Sequence, residues 1–451
     1  MTTPVTDLRS ALRLLALVPG QLARHAAPVD AFCELAAVFR ETSRGAAMLF
    51  ENVKGFEIPV AAGVFATRER AALLLGWPME RLPFKLMEAS ARPLAPVAVQ
   101  SAPCQDVVLR PPFDLRRLVP AITHTPDDAG PFITAGLVRA EDPETGAANA
   151  SVHRMCLHAA DTLSIYFAPG RHIDRFRARA EQAGRPLPIS VSIGLDPAVL
   201  LAACAPAPEG EDELAIAGGI RGRAVELVEC VCVRAKAIAH AEIVLEGVIP
   251  PGERVREDAV TGTGFSMPEF HGYMGVAECE VPVLRVTAVT HRRNAIYQTI
   301  VSPGGERANL IGIPTEARIL QATARALPGA VTNAYMHPSG GGSNLAILQI
   351  AARTSAADRR GREAARVALD TCRELHRVML VDEDVNPFDS DDLLWAMVTR
   401  SGRRSDVSYT PAGRRRFFGK LPGTIVDCTI PYGQEARLRR PERGGRSLPP
   451  G

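Results

Sequence analysis

The chain has 451 residues, of which 46% are hydrophobic and 23% charged, with a formal net charge of +2 and nine cysteines. At roughly 100–200 residues per domain, this length predicts two or three domains, each able to bury a core. The balanced charge excludes a protein that attracts nucleic acid or anionic membranes through a strong overall field. No run approaches the ~20 apolar residues of a membrane span, and the cysteines lack CxxC spacing, which indicates a reduced, cytoplasmic protein.

Residues 1–105 have the pattern of a mixed α/β region. Apolar residues recur at helical spacing in Leu8–Leu17 and in Ala31–Arg40, and short strand-like runs lie between helical stretches. Several prolines then interrupt the chain, and we place the first domain boundary after them.

Residues 106–312 change to a strand pattern. Ile189–Ile193 alternates strictly between apolar and polar residues, and Ala241–Ile249 and Val281–Val289 are further strand-like runs. Short strands separated by Gly and Pro predict a β-rich central domain, such as a barrel.

Residues 313–435 have an α/β pattern. We predict helices over 314–327 and 362–377, and a strand over Val378–Val381 that follows the second helix. Residues 436–451 hold the densest basic run and are predicted to form a disordered, solvated tail. The predicted fold class is therefore α+β, with several domains and a β-rich centre.

The segment Asn149–Arg154 (Asn-Ala-Ser-Val-His-Arg) is dense in hydrogen-bonding groups. On an extended strand, Asn149, Ser151 and His153 would point to one side and Arg154 to the other. Such a strand could present an amide oxygen to a metal and a guanidinium to an anion. A polar edge strand is the commoner use of a segment like this, and both readings stay open.

Two further residues could bind the same metal. His172 follows a Pro-Gly turn, where it is reachable, although a surface histidine is the commoner case. Glu213 ends the acidic run Pro208–Glu213, which is ordinarily a solvated loop. An amide oxygen, an imidazole and a carboxylate together would suit Mn2+ or Mg2+ better than zinc. The spacing alone leaves open whether these side chains meet.

A fourth segment, Met267–Tyr273, contains a candidate proton donor. Glu269 lies between Pro268 and Phe270, which could partly desolvate its carboxyl group and suit it to general acid catalysis. An exposed loop acid is the equally open alternative.

Taken in order, these four segments resemble the UbiD family, including the ferulic acid decarboxylases. Asn149 and Arg154 fit the Asn-x-x-x-x-Arg pattern of a family strand, and His172 fits a Pro-x-x-His-Ile pattern. The matching acidic loop ends at Glu213, and Glu269 opens a Glu-x-x-Gly-Tyr segment. Other segments that resemble the family, so that the likeness covers nearly the whole chain, are Ala241–Gly247, Val381–Phe388, Leu394–Ala396 and Asp427–Thr429.

The resemblance implies a non-oxidative, reversible decarboxylase of an unsaturated or (hetero)aromatic carboxylic acid. Its cofactor would be prenylated FMN in a split β-barrel domain, with the flavin phosphate held through Mn2+ (or Mg2+) and K+. Asn149, His172 and Glu213 would bind the divalent metal, Arg154 would pair with the substrate carboxylate, and Glu269 would supply a proton. The residues implied around the cofactor are Ser151, Val152, His153, Arg154, Arg171, His172 and Glu213.

The resemblance also implies partners. A flavin prenyltransferase would supply the cofactor. The C-terminal α/β domain would assemble the chain into a homo-oligomer, a dimer or a hexamer, with Asp382–Trp395 in or beside the subunit interface.

One departure from the family pattern concerns the charge of Arg154. The family loop carries a first Glu five positions before the proton donor, and that position is Gly264 here. A buried guanidinium without a partner is costly, so Glu257 or Asp258, the proton donor itself, or an extra charge on the substrate would have to compensate.

A second departure is that no Lys occurs in the 362–377 region, where some family members have one that reaches the active site. The departures leave open a flavin-binding homologue with reduced or lost turnover that acts as a binding or assembly partner. A conventional FMN oxidoreductase is a third alternative, which the candidate metal ligands argue against.

Overall fold

The computed structural model describes residues 5–42, 45–205, 207, 210–269, 272–355, 358–411, 422–438 and 440. The chain forms two compact units, Met1–Pro314 and Thr315–Gly451. Most of the predicted basic tail lies outside the described residues, as do positions 208, 209, 270 and 271. None of the described helices is long and apolar enough to cross a membrane.

The α-helices of the described chain alternate with short strands. They are α1 (Leu8–Leu17), α2 (Glu34–Thr42), α3 (Arg68–Leu75), α4 (Leu82–Ser90), α5 (Leu115–Leu118), α6 (His172–Gln182), α7 (Pro197–Ala203), α8 (Glu213–Arg221), α9 (Gly305–Ala326), α10 (Arg360–Thr371) and α11 (Ser390–Arg400). Short 3-10 helices cover Met79–Arg81, Pro103–Gln105, Pro338–Gly340 and Arg404–Asp406.

The strands of the first unit are β1 (Leu22–His25), β2 (Ala47–Phe50), β3 (Val60–Ala62), β4 (Val97–Val99), β5 (Val107–Leu109), β6 (Phe132–Glu141), β7 (Ala148–Leu157), β8 (Thr162–Ile165), β9 (Leu187–Ile193), β10 (Glu226–Glu229), β11 (Lys236–Ile238), β12 (Ile243–Ile249), β13 (Arg254–Val255), β14 (Phe265–Pro268), β15 (Met274–Val276), β16 (Val281–His291) and β17 (Tyr297–Thr299). Those of the second unit are β18 (Val331–Met336), β19 (Leu345–Ile350), β20 (Arg377–Asp382), β21 (Val407–Tyr409) and β22 (Thr424–Cys428).

Six strands of the first unit close into a barrel. Their order is β12, β9, β6, β7, β8 and β16, and β16 pairs back with β12. All neighbours in this ring are antiparallel. Closure pairs the edges that an open sheet would expose. The prediction of a β-rich centre in a mixed α/β chain is thereby confirmed, while the three boundaries between the four predicted regions stay predictions.

The alternating strand β9 shows how the sequence produces the barrel wall. Its apolar residues belong to the main hydrophobic core of the unit. The intervening serines are also buried, and their hydroxyl groups have hydrogen-bond partners on β11. Ser190 Oγ donates a 2.7 Å hydrogen bond to the Lys236 carbonyl, and Ser192 Oγ accepts one of 3.3 Å from the Ile238 N–H. The second face of β9 is therefore covered by β11 rather than by water.

The first unit also contains smaller sheets, which are formed by strands outside the barrel. One has the order β1, β2, β3 and β17, a second has the order β11, β10 and β4, and β14 pairs with β15 as an antiparallel hairpin. The hairpin follows the loop that contains Gly264 and carries Glu269 at its turn. This loop and hairpin supply one side of the candidate site.

The second unit contains a five-stranded sheet of order β18, β19, β20, β22 and β21, in which β19, β20 and β22 are parallel. The helix predicted to begin at Pro314 instead begins at Gly305, with Pro314 in its interior. A proline lacks only one backbone donor, so a helix with enough other contacts can continue through it. The helix predicted over 362–377 is shorter and ends at Thr371, because Cys372 is extended.

Candidate active site

Strand β7 carries candidate residues at both of its ends and on both of its faces. Asn149 is its second residue and Arg154 its seventh. At about 3.3 Å per residue, five residues of strand separate their Cα atoms by roughly 16 Å. The strand therefore holds two clusters of polar side chains a fixed distance apart.

The first cluster contains the three predicted metal ligands. The Asn149 Nδ2 atom lies 3.1 Å from His172 Nδ1 and 2.5 Å from Glu213 Oε1. The other oxygen of Glu213 accepts a 2.9 Å hydrogen bond from the Ala150 N–H. The fold thus brings together side chains that lie far apart in sequence, each at the start of a helix or strand.

Local sequence explains how the two helical residues are presented. Gly170 adopts a left-handed φ of 76° in the turn before α6, which a residue without Cβ adopts readily, and His172 is the first helical residue. The Asp212 side chain caps α8 by accepting from the Leu214 N–H at 2.8 Å. Glu213 is therefore the first residue of α8, and the cap holds its carboxylate against β7.

Glu213 is 4% exposed, and burial raises the pKa of its carboxyl group to about 7. Its hydrogen-bond donors, the Asn149 amide and the Ala150 N–H, are both neutral groups. Across the described residues, no three His, Cys, Asp or Glu side chains converge as a potential metal site. The cluster at Asn149 differs from such a site, because one of its three side chains is an amide.

The remaining predicted cofactor residues lie beside this cluster. Ser151 Oγ lies 2.9 Å from His153 Nε2, and His153 Nδ1 lies 3.0 Å from the Tyr166 carbonyl. A carbonyl can only accept, so Nδ1 carries the proton and Nε2 accepts from the serine. Burial lowers the pKa of His153 to about 4, which keeps the ring neutral. Its contacts therefore fix a single tautomer.

Two predicted cofactor residues occupy less enclosed positions. Val152 is half-buried in β7, opposite Leu137 of β6. Arg171 is exposed and is the N-cap residue of α6, without a side-chain capping bond.

The second cluster surrounds Arg154. Glu257 accepts from Arg154 Nε at 2.7 Å and from Nη2 at 3.0 Å, a bidentate pair. Glu269 accepts from Nη1 at 2.9 Å, and the Tyr166 ring centroid lies 4.4 Å from the guanidinium carbon. Desolvation opposes the charge of Arg154, but these contacts outweigh it and raise the guanidinium pKa.

Two of the groups considered as compensation for the acid missing at Gly264 contact Arg154. Glu257 supplies the first carboxylate and Glu269 the second. Asp258 instead accepts a 2.8 Å bond from the Gly264 N–H, and the Gly262 N–H donates to the Asp258 carbonyl at 2.7 Å. These bonds close the intervening residues into a turn, so the carboxylate twelve positions before Glu269 reaches the guanidinium.

The two carboxylates differ in their surroundings. The side chain of Glu257 is 2% exposed and also accepts from the Glu278 N–H at 3.1 Å, whereas that of Glu269 is 19% exposed. Glu269 lies at the turn of the β14–β15 hairpin, where its own N–H donates to the Tyr273 carbonyl at 2.8 Å. Glu257 is the fixed partner of Arg154, and Glu269 is the accessible one.

Sequence reasoning did not single out Tyr166. Its ring covers one face of the Arg154 guanidinium, and an aromatic face stabilises a cation. Tyr166 directly follows β8, and its N–H donates to the Arg154 carbonyl at 3.2 Å. A tyrosine at the end of a strand gives no distinct signal in the sequence, because its contact with Arg154 is set by the pairing of β7 with β8.

Comparison with known proteins identifies the family. Profiles of the N-terminal, Rift-related and C-terminal domains of 3-octaprenyl-4-hydroxybenzoate carboxy-lyase, UbiD, match residues 18–90, 96–305 and 308–418. The chain belongs to the UbiD family and is a carboxy-lyase.

Individual relatives are similar over nearly their whole length. The gallate decarboxylase of Lactiplantibacillus plantarum is 40% identical and covers 96% of both chains. The apo structure of a 3,4-dihydroxybenzoic acid decarboxylase from Enterobacter cloacae is 45% identical, covers 99% of this chain and 98% of that one, and has a TM-score of 0.95. The UbiD-class enzyme HmfF of Pelotomaculum thermopropionicum, in an evolved dimeric form in complex with prFMN, is 35% identical, covers 98% and 97%, and has a TM-score of 0.86.

Proposed function

We propose that this protein decarboxylates a hydroxylated aromatic acid, with prenylated FMN as its cofactor. The observation that carries the proposal is Arg154 held between a buried and an accessible carboxylate. Relatives that act on gallate and 3,4-dihydroxybenzoate support the substrate class. The similar HmfF structure in complex with prFMN supports the cofactor.

The residues around Glu213 fit a divalent metal. A buried carboxylate whose donors are neutral gains from a cation, and the carboxylate, amide and imidazole form a donor set typical of Mn2+ or Mg2+. Rotation of the Asn149 amide by 180° would turn its oxygen toward the metal. Asn149, His172 and Glu213 would then hold the metal that anchors the flavin phosphate, and K+ would join it there.

The spacing along β7 supports one cofactor that reaches both clusters. Roughly 16 Å of strand separates Asn149 from Arg154. FMN extends from its phosphate through a ribityl chain to a three-ring system, so a single molecule could contact both clusters through their side chains. The flavin ring would therefore lie near Arg154 and Glu269 when the phosphate is near Glu213. When bound, the prenylated flavin supplies the electron sink that decarboxylation requires.

The charges around Arg154 assign the remaining roles. With both glutamates ionised, the Arg154 cluster already carries one net negative charge. A substrate carboxylate would add another, and Glu269 is the carboxylate of this cluster that solvent and substrate can reach. Arg154 would then pair with the substrate carboxylate, while Glu257 keeps the guanidinium oriented. After CO2 leaves, Glu269 would donate its proton to the carbon that carried the carboxylate.

One reason for considering a homologue without turnover loses its force. The acid missing at Gly264 motivated that alternative, and Glu257 provides Arg154 with a carboxylate partner. The same contact removes the need for a substrate with extra negative charge. A simple aromatic monoacid therefore satisfies the charge requirements of the site.

The decisive experiment is a substrate screen of the protein produced together with a flavin prenyltransferase. We expect CO2 release from 3,4-dihydroxybenzoate or gallate, and none from a Glu269→Gln variant that still binds flavin. Bound flavin without CO2 release from any acid in the screen would favour the non-catalytic homologue. Oxidation of NAD(P)H would favour the oxidoreductase instead.

Assembly into a homo-oligomer is proposed through the second unit. Helix α11 exposes Leu394, Met397 and Val398, the last with 76% of its surface accessible. An apolar stripe of this kind on one helix is typical of a protein interface. The segment Asp382–Trp395 overlaps this stripe, since it contains Leu394 and the first half of α11.

A further inference from the structure

The second unit contains a cavity of about 320 Å3 at one edge of its sheet. The strands β19, β20 and β22 run parallel, and the cavity is lined by residues that follow β19 and β22 and by the start of α10. In open α/β sheets, ligands bind at the carboxyl ends of parallel strands. The cavity has no residue in common with the two clusters on β7.

The lining of this cavity, the arginine cavity, is strongly charged. Its cationic residues are Arg353, Arg359, Arg360, Arg362 and Arg403. Its acidic residues are Asp358, Asp406 and Asp427. Arg360 pairs with Asp358 at 2.8 Å and Arg403 with Asp406 at 3.2 Å. Arg353 and Arg362 share the remaining carboxylate, that of Asp427, so these ion pairs leave one guanidinium charge uncompensated.

Asp427 shows how the fold holds two of these guanidiniums together. Arg353 Nη2 and Arg362 Nε each donate a 2.9 Å hydrogen bond to the same oxygen, Asp427 Oδ2. The two nitrogens are therefore no more than twice that distance apart. The other oxygen of Asp427 accepts from the Thr429 N–H and hydroxyl at 3.2 and 2.6 Å. The single negative charge of Asp427 is shared by the guanidiniums of Arg353 and Arg362, so one of their two positive charges is uncompensated.

The start of α10 adds to the attraction for anions. This helix of 12 residues begins at Arg360, and its N-cap residue, Arg359, makes no side-chain capping bond. The first N–H groups of a helix have no partner within the helix, and the helix dipole favours negative charge at this end. The helix start therefore acts in the same direction as the guanidiniums.

We propose that the arginine cavity binds a small oxyanion, either free phosphate or the phosphate group of a small metabolite. A phosphate monoester carries about −1.5 to −2 at pH 7 and would compensate the guanidinium charge left at Asp427. Guanidinium groups bind phosphate oxygens through paired N–H bonds. Ligand sites span roughly 300–1,000 Å3, so this cavity accepts only a small molecule. The proposal does not depend on the decarboxylase activity.

The test uses the full-length protein with its cofactor bound, titrated with inorganic phosphate or glycerol 3-phosphate while calorimetric heat is measured. Chloride at matched ionic strength controls for screening. We expect saturable binding that Arg362→Gln and Arg403→Gln each weaken about tenfold, the loss expected for one charge-assisted contact. Arg116→Gln, which breaks an exposed pair with Asp114 outside the cavity, should bind like the unmodified protein.

The outcomes separate the sources of the ligand. Tighter binding of glycerol 3-phosphate than of phosphate assigns the cavity to a phosphorylated metabolite, and equal binding assigns it to free phosphate. If Arg362→Gln fails to fold, Arg403→Gln decides, because its side chain is more than half exposed. A response no larger than that to chloride, or equal affinity in Arg403→Gln and Arg116→Gln, overturns the proposal.

Discussion

Replacing Glu257 by Gln separates the role of this residue from that of Glu269. The substitution keeps the size of the side chain but removes its charge, and it turns an amide N–H2 group toward the Arg154 guanidinium. At least one of the two bonds of 2.7 and 3.0 Å is then lost, and the nearly buried guanidinium loses its fixed partner. Breaking a buried ion pair costs about 3–5 kcal/mol. Because Glu269 remains and Arg154 is 18% exposed, we expect about 2–4 kcal/mol.

The matched variant is Glu269→Gln. Glu269 makes one bond to Arg154 and is more exposed, so its replacement should cost less than about 1 kcal/mol of stability. For a unit of this size, about 2–4 kcal/mol corresponds to a fall of roughly 3–6 °C in Tm. We therefore expect Glu257→Gln to lower both Tm and the rate of CO2 release, and Glu269→Gln to abolish CO2 release with little change in Tm.

The assay combines thermal unfolding with CO2 release, each measured on the flavin-bound proteins. Equal falls in Tm for the two variants would refute the distinction between a fixed and an accessible carboxylate. So would a Glu257→Gln protein that has unchanged Tm and unchanged turnover.

Three further predictions concern the metal site, pH and assembly. Glu213→Ala should release metal and flavin together, measured by metal analysis and absorbance of the purified protein. Burial raises the pKa of Glu306 to about 7, so the folded chain keeps a proton that the unfolded chain loses above its ordinary pKa of 4.5. The stability contributed by Glu306 is therefore complete below about pH 4.5 and is lost as the pH rises through 7. Between these pH values, Tm should fall less steeply in the Glu306→Gln variant than in the unmodified protein. Val398→Arg should convert the oligomer to smaller species in light scattering, because it places a charge in an apolar stripe.

Each of these predictions has an outcome that contradicts it. Full occupancy of metal and flavin in Glu213→Ala would remove the assignment of this ligand. Identical slopes of Tm against pH in Glu306→Gln and the unmodified protein would show that this carboxyl group is not the source of the dependence. A monodisperse monomer at micromolar concentration before any substitution would contradict assembly through α11.

The ordered motifs made much of the active site predictable. Asn149 and Arg154 lie on one strand, so their separation and their opposite faces follow from strand geometry alone. The alternation of β9 predicted a strand, and the helical spacing of Leu8–Leu17 predicted α1 with the bounds that the structure has. The strand pattern could not reveal that the polar face of β9 is buried too, because its cover comes from a distant strand.

The approach of distant residues was decided by the tertiary structure. Glu213 meets Asn149 because α8 begins beside β7, although 64 positions separate the two residues. The family spacing points to Gly264 for the partner of Arg154, and the sequence left several replacements open. The structure selects Glu257, because hydrogen bonds donated to Asp258 close a turn that spacing cannot show. The sequence determined which chemical groups the protein has and which local elements carry them. Only the closed barrel and its loops decided which groups meet, since contacts between distant segments depend on strand pairing and turn closure rather than on local pattern.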